Sequence, residues 1–293
     1  VVWRLIIDGK ALSNQLDVNM KQEVADLNAT GLYPTLVVII VGNDPASQIY
    51  VRNKHRKAVK LGIRSIIERK PADMTQADLL ALIAKYNADD QVHGILVQLP
   101  LPKQIDETAV IRAIDVKKDV DGFSPENVGK LFANSHEHYP VSCTPKGIMT
   151  MLDHYNVNPE GKHAVIVGDS NIVGRPMGAL LLNAGATVTY THILTQDLSS
   201  FTRTADILVV ATGVAHLIKA GDIKPGATVI DVGMDRDENG KLVGDVDYDN
   251  AVKVAGNITP VPGGVGPMTI TTLMQQTIEL AKVANRRALT SVH

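Results

Sequence analysis

Between Ala164 and Gly174 the chain reads Ala-Val-Ile-Val-Gly-Asp-Ser-Asn-Ile-Val-Gly. A short apolar run meets Gly168 and Ser170, and Gly174 opens a helical pattern. A strand, a tight turn and a helix in that order can hold a dinucleotide pyrophosphate. Gly168 permits the sharp exit from the strand. Ser170 can offer its hydroxyl or its N–H to phosphate, and the helix beyond aims its N-terminal amides and positive dipole end at the anion. The spacing is Gly-x-Ser-x-x-x-Gly, not the usual Gly-x-Gly-x-x-Gly. A tight turn without a ligand is the plainer alternative. Two rival motifs fail: a nucleophile elbow needs glycine where Ile172 stands, and no Gly-Lys-Ser/Thr phosphate loop is present.

Other strings have types and spacings that suit a site. Tyr50 and Lys54 are four apart and share one helix face. Arg52, His55, Arg56, Lys57 and Lys60 fill much of the remaining surface, as a solvated basic face also would. In Gln98-Leu99-Pro100-Leu101-Pro102 a polar amide ends a buried strand and two prolines fix the loop. Lys118-Asp119-Val120-Asp121-Gly122-Phe123 carries two acids at i and i+2, which a simple turn also explains. Pro260 to Pro267 holds three prolines and three glycines in eight residues, a rigid wall with few side chains that a flat ligand can approach. No histidine or acid spacing suits a metal, so no metal site is expected. His136 and His138 read as surface residues. Cys143 has no basic partner near it in sequence and is a weak candidate nucleophile.

These residues hang on an alternation of helix and strand patterns. Leu12, Leu16, Met20, Val24 and Leu27 recur at helical spacing. Leu36–Val41 is a continuous β-branched run, as in a buried parallel strand. Asp44-Pro45 starts a helix that Gly62 ends, so Tyr50 and Lys54 follow the carboxyl edge of a sheet, where α/β ligands bind. Ile63–Ile67 reads as a strand. Thr75-x-x-Asp78 resembles a capping box and opens a helix to about Ala88. Gly94–Val97 is a strand stopped by the prolines. Thr144-Pro145 caps a helix to about Tyr155. Strands follow at Ala164–Val167, Thr187–Thr191, Ile207–Val210 and Thr228–Val232, with a helix from Val173 to Ala184 closed by Gly185. A last helix runs from about Thr269 to Arg287. The pattern predicts α/β architecture with parallel sheets covered on both faces. The domain boundary falls in the polar stretch between Asp115 and Tyr139.

At 293 residues the chain has room for two domains. A net charge of −2 argues against a nucleic-acid or polybasic membrane binder. One cysteine forbids an intrachain disulfide and fits a reducing compartment, so a cytoplasmic location is expected. The longest apolar runs are far too short to span a bilayer, and Val1–Ile7 lacks a secretory pattern. Position 1 is not Met, which suits a processed or trimmed start.

In this order the strings resemble the bifunctional methylenetetrahydrofolate dehydrogenase/methenyltetrahydrofolate cyclohydrolase family. The resemblance spans nearly the whole chain. It includes Ile6-Ile7-Asp8-Gly9-Lys10, Tyr50-x-x-x-Lys54, Asn87-x-Asp89 and Ile95-Leu96-Val97-Gln98-Leu99-Pro100. It continues through Lys118-Asp119-Val120-Asp121-Gly122, Cys143-Thr144-Pro145, Gly168-x-Ser170-Asn171-Ile172-Val173-Gly174 and Pro262-Gly263-Gly264-Val265-Gly266-Pro267-Met268-Thr269. The Gln-Leu-Pro and Pro-Gly-Gly strings are highly specific, and the Gly-x-Ser-x-x-x-Gly spacing is this family's form of the turn.

The resemblance implies two α/β domains with a cleft between them. Residues 1–123 would bind folate, with the last helix packing back on them, and residues 124–293 would form a Rossmann-like parallel sheet for NADP. It implies a homodimer acting on tetrahydrofolate derivatives. Lys54 would move the proton in the hydrolytic step, since a lysine out of water or near other cations gives up its proton more readily. Gln98 would position Lys54. Tyr50 would stack on the folate, and Asp121 would pair with the pterin N–H groups. Leu99, Pro262 and Gly263 would line the same pocket. Gly168, Asp169, Ser170, Thr212, Gly213 and Met234 would bind the dinucleotide. Asp169 and Ile193 depart from the family's usual phosphate-binding residues, which keeps NAD open beside NADP; Arg175 or His192 would compensate. Three other readings stay open: a dehydrogenase-only form, a two-domain dehydrogenase for a different small acid, and a nicotinamide-sensing binding module.

Overall fold

The computed structural model describes residues 5–290; Val1–Arg4, which carry part of the N-terminal reading, lie outside the described residues. The chain divides into two compact units, and not by a single cut. One unit takes the chain up to Asn14, Leu131–Ser135 and Ser142–Thr269; the other takes Gln15–Lys130, His136–Val141 and the chain from Ile270 on. The first is built on a six-stranded sheet and the second on a three-stranded one.

The chain opens with a short strand, β1 (Leu5–Ile6), and a long helix, α1 (Gly9–Ala29). The three-stranded unit then centres on β2 (Thr35–Val41), whose seven residues are all buried. A strand covered on both faces reads as a continuous apolar run, as this one does. Next comes α2 (Pro45–Leu61). Asp44 caps it by accepting the Ser47 N–H at 2.8 Å. Gly62 ends it at φ 85°, a left-handed turn that only glycine adopts without strain. β3 (Arg64–Lys70) runs beyond the expected Ile67 because its pairing with β2 continues to Val41 opposite Lys70. α3 (Gln76–Asn87) is capped by Thr75, which accepts the Asp78 N–H at 3.1 Å. β4 (Gly94–Val97) completes the parallel order β3-β2-β4. Val37, Ile39, Leu79, Ile83, Ile95 and Val97 form its core. The short helix α4 (Glu107–Ala113) adds Val110 to that core, and α5 (Pro125–Phe132) lies in the stretch expected to be a boundary.

The six-stranded unit takes up α6 (Cys143–His154), β5 (His163–Val167), α7 (Gly174–Asn183), β6 (Thr187–Thr191), α8 (Leu198–Thr202), β7 (Ile207–Val210) and β8 (Thr228–Asp231). It continues through an antiparallel pair, β9 (Asp235–Arg236) and β10 (Leu242–Val243), then α9 (Tyr248–Ala251), β11 (Asn257–Ile258) and the start of α10 (Val265–Thr290). The sheet order is β1-β11-β8-β7-β5-β6, parallel throughout. Winding reverses between β5 and β7. Ligands of open α/β sheets bind outside the carboxyl ends of the strands at such a reversal.

Two expected starts are corrected. The N-cap of α6 is Ser142, and Thr144-Pro145 sits inside its first turn, where a proline needs no N–H partner. α10 begins at Val265, not Thr269, so Pro267 again falls within a first turn.

Candidate active site

In the three-stranded unit, the Gln98 N–H donates to Ile39 O at 2.8 Å, extending the ladder one residue past β4. That bond holds Gln98 beside the carboxyl half of β2. Its Oε1 accepts from Lys54 Nζ at 3.0 Å. Its Nε2 donates to Leu99 O at 2.9 Å, so the amide is held with its oxygen toward the lysine. Lys54 and Tyr50 are both half-buried. Much of the basic face of α2 is tied up in packing. Lys57 and Lys60 both pair with Asp17 of α1, and His55 Nδ1 bonds Ser65 Oγ at 2.9 Å. Lys54 is the cation of that helix directed at Gln98.

The Lys118–Phe123 string separates into different jobs. Lys118 Nζ donates to the carbonyls of Tyr86, Asn87 and Asp89 at 3.0, 2.8 and 2.7 Å. It closes the end of α3, and burial pushes its pKa down. Asp119 is 2% exposed. It accepts from Ser124 N at 2.9 Å, Asn127 Nδ2 at 2.8 Å and Phe123 N at 3.3 Å. It is an internal brace. Both acids line a pocket with Leu99, Phe123, Ile95 and Val97, and there Asp121 is the half-buried one. Gly122, next after Asp121, allows the turn at φ 68°, where a Cβ would stand 2.7 Å from the Val141 carbonyl carbon.

The six-stranded unit gathers the other strings. Gly168 sits at φ 109°, and a Cβ there would lie 2.2 Å from Ala211 O. A Cβ at Gly174 would lie 1.8 Å from Gly168 O. Both glycines are required by close backbone approach at the carboxyl ends of β5 and β7, the cradle a dinucleotide needs. Ser170 Oγ accepts from Val173 N at 3.1 Å and Gly174 N at 3.4 Å, so the hydroxyl oxygen closes the turn and only its proton is left for a ligand. Arg175 Nη2 lies 3.4 Å from Asp169 Oδ2, and its Nε donates to Asp169 O at 2.9 Å. His192 Nδ1 accepts from Leu194 N at 3.2 Å, and Ile193 is 98% exposed. Met234 Sδ lies 3.8 Å from where a Gly266 Cβ would stand. The Lys10 N–H donates to Gly263 O at 2.9 Å. A Cβ at Gly9 would lie 1.8 Å from Gly264 O, which explains why both strings are rich in glycine. Pro262 is exposed beside them.

One group escaped the sequence reading. Asp245 is fully buried, and its Oδ2 accepts from Thr212 N, Thr212 Oγ1 and Gly213 N at 2.5, 2.9 and 3.2 Å. Asp231 accepts from Gly233 N, Asp245 N and Val246 N at 2.9, 3.0 and 3.0 Å. Burial pushes Asp231 up to about 7, against the pull of those three donors. Asp235 rises to about 6, through burial and then its hydrogen bond with Asp245. The available signal was a carboxylate closing an apolar strand, followed fourteen residues later by a second one between Gly244 and Val246.

Residues 7–121 match the family model for the tetrahydrofolate dehydrogenase/cyclohydrolase catalytic domain, and residues 142–285 match its NAD(P)-binding domain. The chain belongs to the tetrahydrofolate dehydrogenase/cyclohydrolase family. It is 65% identical over 277 residues to "Bifunctional protein FolD" of Lactiplantibacillus plantarum, covering 94% of this chain and 97% of that one. The solved FolD methylenetetrahydrofolate dehydrogenase/cyclohydrolase of Campylobacter jejuni is 48% identical with a TM-score of 0.94, over 96% of this chain and 99% of that one. The Trypanosoma brucei enzyme, solved with NADP and an inhibitor, is 39% identical with a TM-score of 0.92, over 97% and 99%. Family membership makes the six-stranded sheet an NAD(P)-binding one, and the α/β expectation holds. Among the described residues no helix is long and apolar enough to cross a membrane.

Proposed function

We propose that this chain oxidises 5,10-methylenetetrahydrofolate to the 5,10-methenyl form with NADP and hydrolyses that product to 10-formyltetrahydrofolate, in one-carbon metabolism. Both family domains on one chain support the two activities. The observation that carries the reading is the Lys54–Gln98 pair at the carboxyl edge of the three-stranded sheet. Bound NADP supplies the hydride acceptor. Gly168, Asp169 and Ser170 hold it from one strand end, and Thr212, Gly213 and Met234 from the next two. In the hydrolysis, water adds to the methenyl carbon, one C–N bond breaks, and a proton leaves the water while the departing nitrogen gains one. Lys54 handles that proton, with Gln98 setting where Nζ points. Tyr50 offers its ring for stacking. Asp121 and Leu99 bind the folate from the pocket they share; Pro262 and Gly263 are further candidate folate-binding residues. We place folate on residues 1–123 together with the last helix, and the dinucleotide on the remainder. A cytoplasmic homodimer belongs to the same proposal; its solution mass tests the dimer.

The test is Lys54→Met, assayed for each activity. Cyclohydrolase is lost and measurable dehydrogenase remains; equal retention of both removes Lys54 from the mechanism. One observation favours a second reading, with NAD as cofactor. Asp169 places a carboxylate beside the turn and engages Arg175, the nearby cation suited to a 2′-phosphate. Comparing kcat/KM for NADP and NAD decides between them.

A further inference from the structure

We infer that Asp245 is a positioning residue that presets the Thr212–Gly213 turn for the dinucleotide by filling the turn's own anion site. Three donors from that turn converge on one carboxylate oxygen, at 2.5, 2.9 and 3.2 Å. Two are successive backbone N–H groups, and Gly213, which carries the second, takes φ 69°. Successive amides curled in this way form a concavity that accepts an anion. At the end of β7, one of the two strands flanking the winding reversal, such a concavity would compete for the ligand's phosphates. Here it is occupied from within the chain, by a residue 33 positions away. Asp245 therefore directs the charged middle of the ligand to the Gly168–Ser170 turn. The nicotinamide end, which carries no phosphate, is left to pass the β7 turn. The assignment rests on the dinucleotide chemistry proposed for this unit.

The placement of Asp245 is itself over-determined. Asp231 accepts its N–H at 3.0 Å and that of Val246 at 3.0 Å. A Cβ at Gly244 would stand 1.9 Å from Asp231 Oδ2, and one at Gly233 would stand 2.2 Å from Asp245 Oδ1. Those glycines let backbone close over the carboxylates. Asp245 Oδ1 and Asp235 Oδ2 are buried oxygens without a donor from the rest of the chain. Burial first, and then its hydrogen bond with Asp245, raises Asp235. Among the described residues, no lysine, arginine or histidine forms a salt bridge with any of the three acids.

The test compares Asp245→Ala with Asp245→Asn in the full chain. Asp245→Ala frees the turn, and the dinucleotide KM and its directly measured Kd rise by about tenfold or more, the order carried by a charge-assisted hydrogen bond. Cyclohydrolase turnover of supplied methenyltetrahydrofolate, which needs no dinucleotide, stays within about twofold, because Lys54 and Gln98 belong to the other unit. Asp245→Asn keeps an oxygen for the turn and turns an amide N–H toward Asp235. It brings Kd back to within about threefold of the parent, since the hydrogen-bond count is preserved. A parallel fall in both activities, an unchanged Kd in Asp245→Ala, or no rescue by Asn overturns the inference. Should Asp245→Ala fail to fold, Thr212→Val removes one donor, and an unchanged Kd in that variant overturns it equally. Dinucleotide binding is read without folate, so failure of the folate activities is told apart from failure of the positioning role.

Discussion

Lys54 donates from Nζ to Oε1 of Gln98 across 3.0 Å, joining the middle of α2 to the first residue beyond β4. Because Gln98 Nε2 is spent on Leu99 O, the amide cannot turn over without losing a bond. Removing the amide should therefore disturb the lysine's aim more than substrate binding. Gln98→Ala is expected to lower cyclohydrolase kcat by about tenfold to a hundredfold, the range for one hydrogen bond to a charged group. The folate KM should change less. Steady-state kinetics of both reactions check this; a pure KM effect would make Gln98 a binding residue only.

Asp169 and Arg175 offer a direct handle on cofactor choice. With Arg175 Nη2 3.4 Å from Asp169 Oδ2 and both side chains largely exposed, the pair is loose. Asp169→Asn removes the negative charge and frees the guanidinium for a phosphate. The ratio of kcat/KM for NADP over NAD should rise by about tenfold, since a repulsive charge is gone and the guanidinium can pair with the 2′-phosphate. An unchanged ratio would locate the 2′-phosphate elsewhere.

Asp119 and Asp121 are neighbours in one string, with opposite expected phenotypes. Asp119→Ala strands three donors inside the unit and should cost about 2–4 kcal/mol of stability. In folded protein at low temperature its folate KM should stay close to the parent's. Asp121→Ala should lower the melting temperature less than Asp119→Ala does, and raise the folate KM. Melting curves alongside kinetics separate the two, and matching phenotypes would mean that the string acts as one piece.

This division shows where sequence reading stopped. Strands such as Thr187–Thr191 and Ile207–Val210 were legible because their β-branched and apolar residues form compact runs between turn signals. Turns at Gly62 and Gly168 were legible because positive φ selects glycine. The pairing of Lys54 with Gln98 followed from the family's pattern, not from spacing. Which acid of Asp119 and Asp121 faces inward depends on the path of the loop, and i, i+2 spacing carries no such information outside a strand. Asp245 was invisible for a related reason. Its partners Thr212 and Gly213 are local neither to it nor to any periodic pattern. The start of α10 was misread because proline and glycine signal a loop until the first turn of a helix is recognised as a place for them.

The acid group also makes stability depend on pH. A carboxyl whose folded pKa lies above its unfolded value supports the fold below the unfolded value, 3.8, and that support is lost as pH rises through the folded one, about 6 for Asp235. Asp235→Asn keeps a hydrogen bond to Asp245 and no longer titrates. Relative to the parent, it should gain about 1 kcal/mol between pH 5 and pH 8, a figure reduced because Asp235 is only partly buried and water screens it. Denaturant titrations at both pH values check this, and parallel parent and variant curves would remove Asp235 from the titrating group.

Leu5 lies beside Asn257, and Ile6 beside Ile258, at one edge of the six-stranded sheet. During synthesis this edge pairing has to wait until Ile258 has emerged, whereas the three strands between Thr35 and Val97 are together early. The three-stranded sheet can therefore be complete while the six-stranded sheet still lacks its two outer strands, β11 and β1. A ribosome-stalled chain ending before Asn257 should present one finished sheet and one open edge.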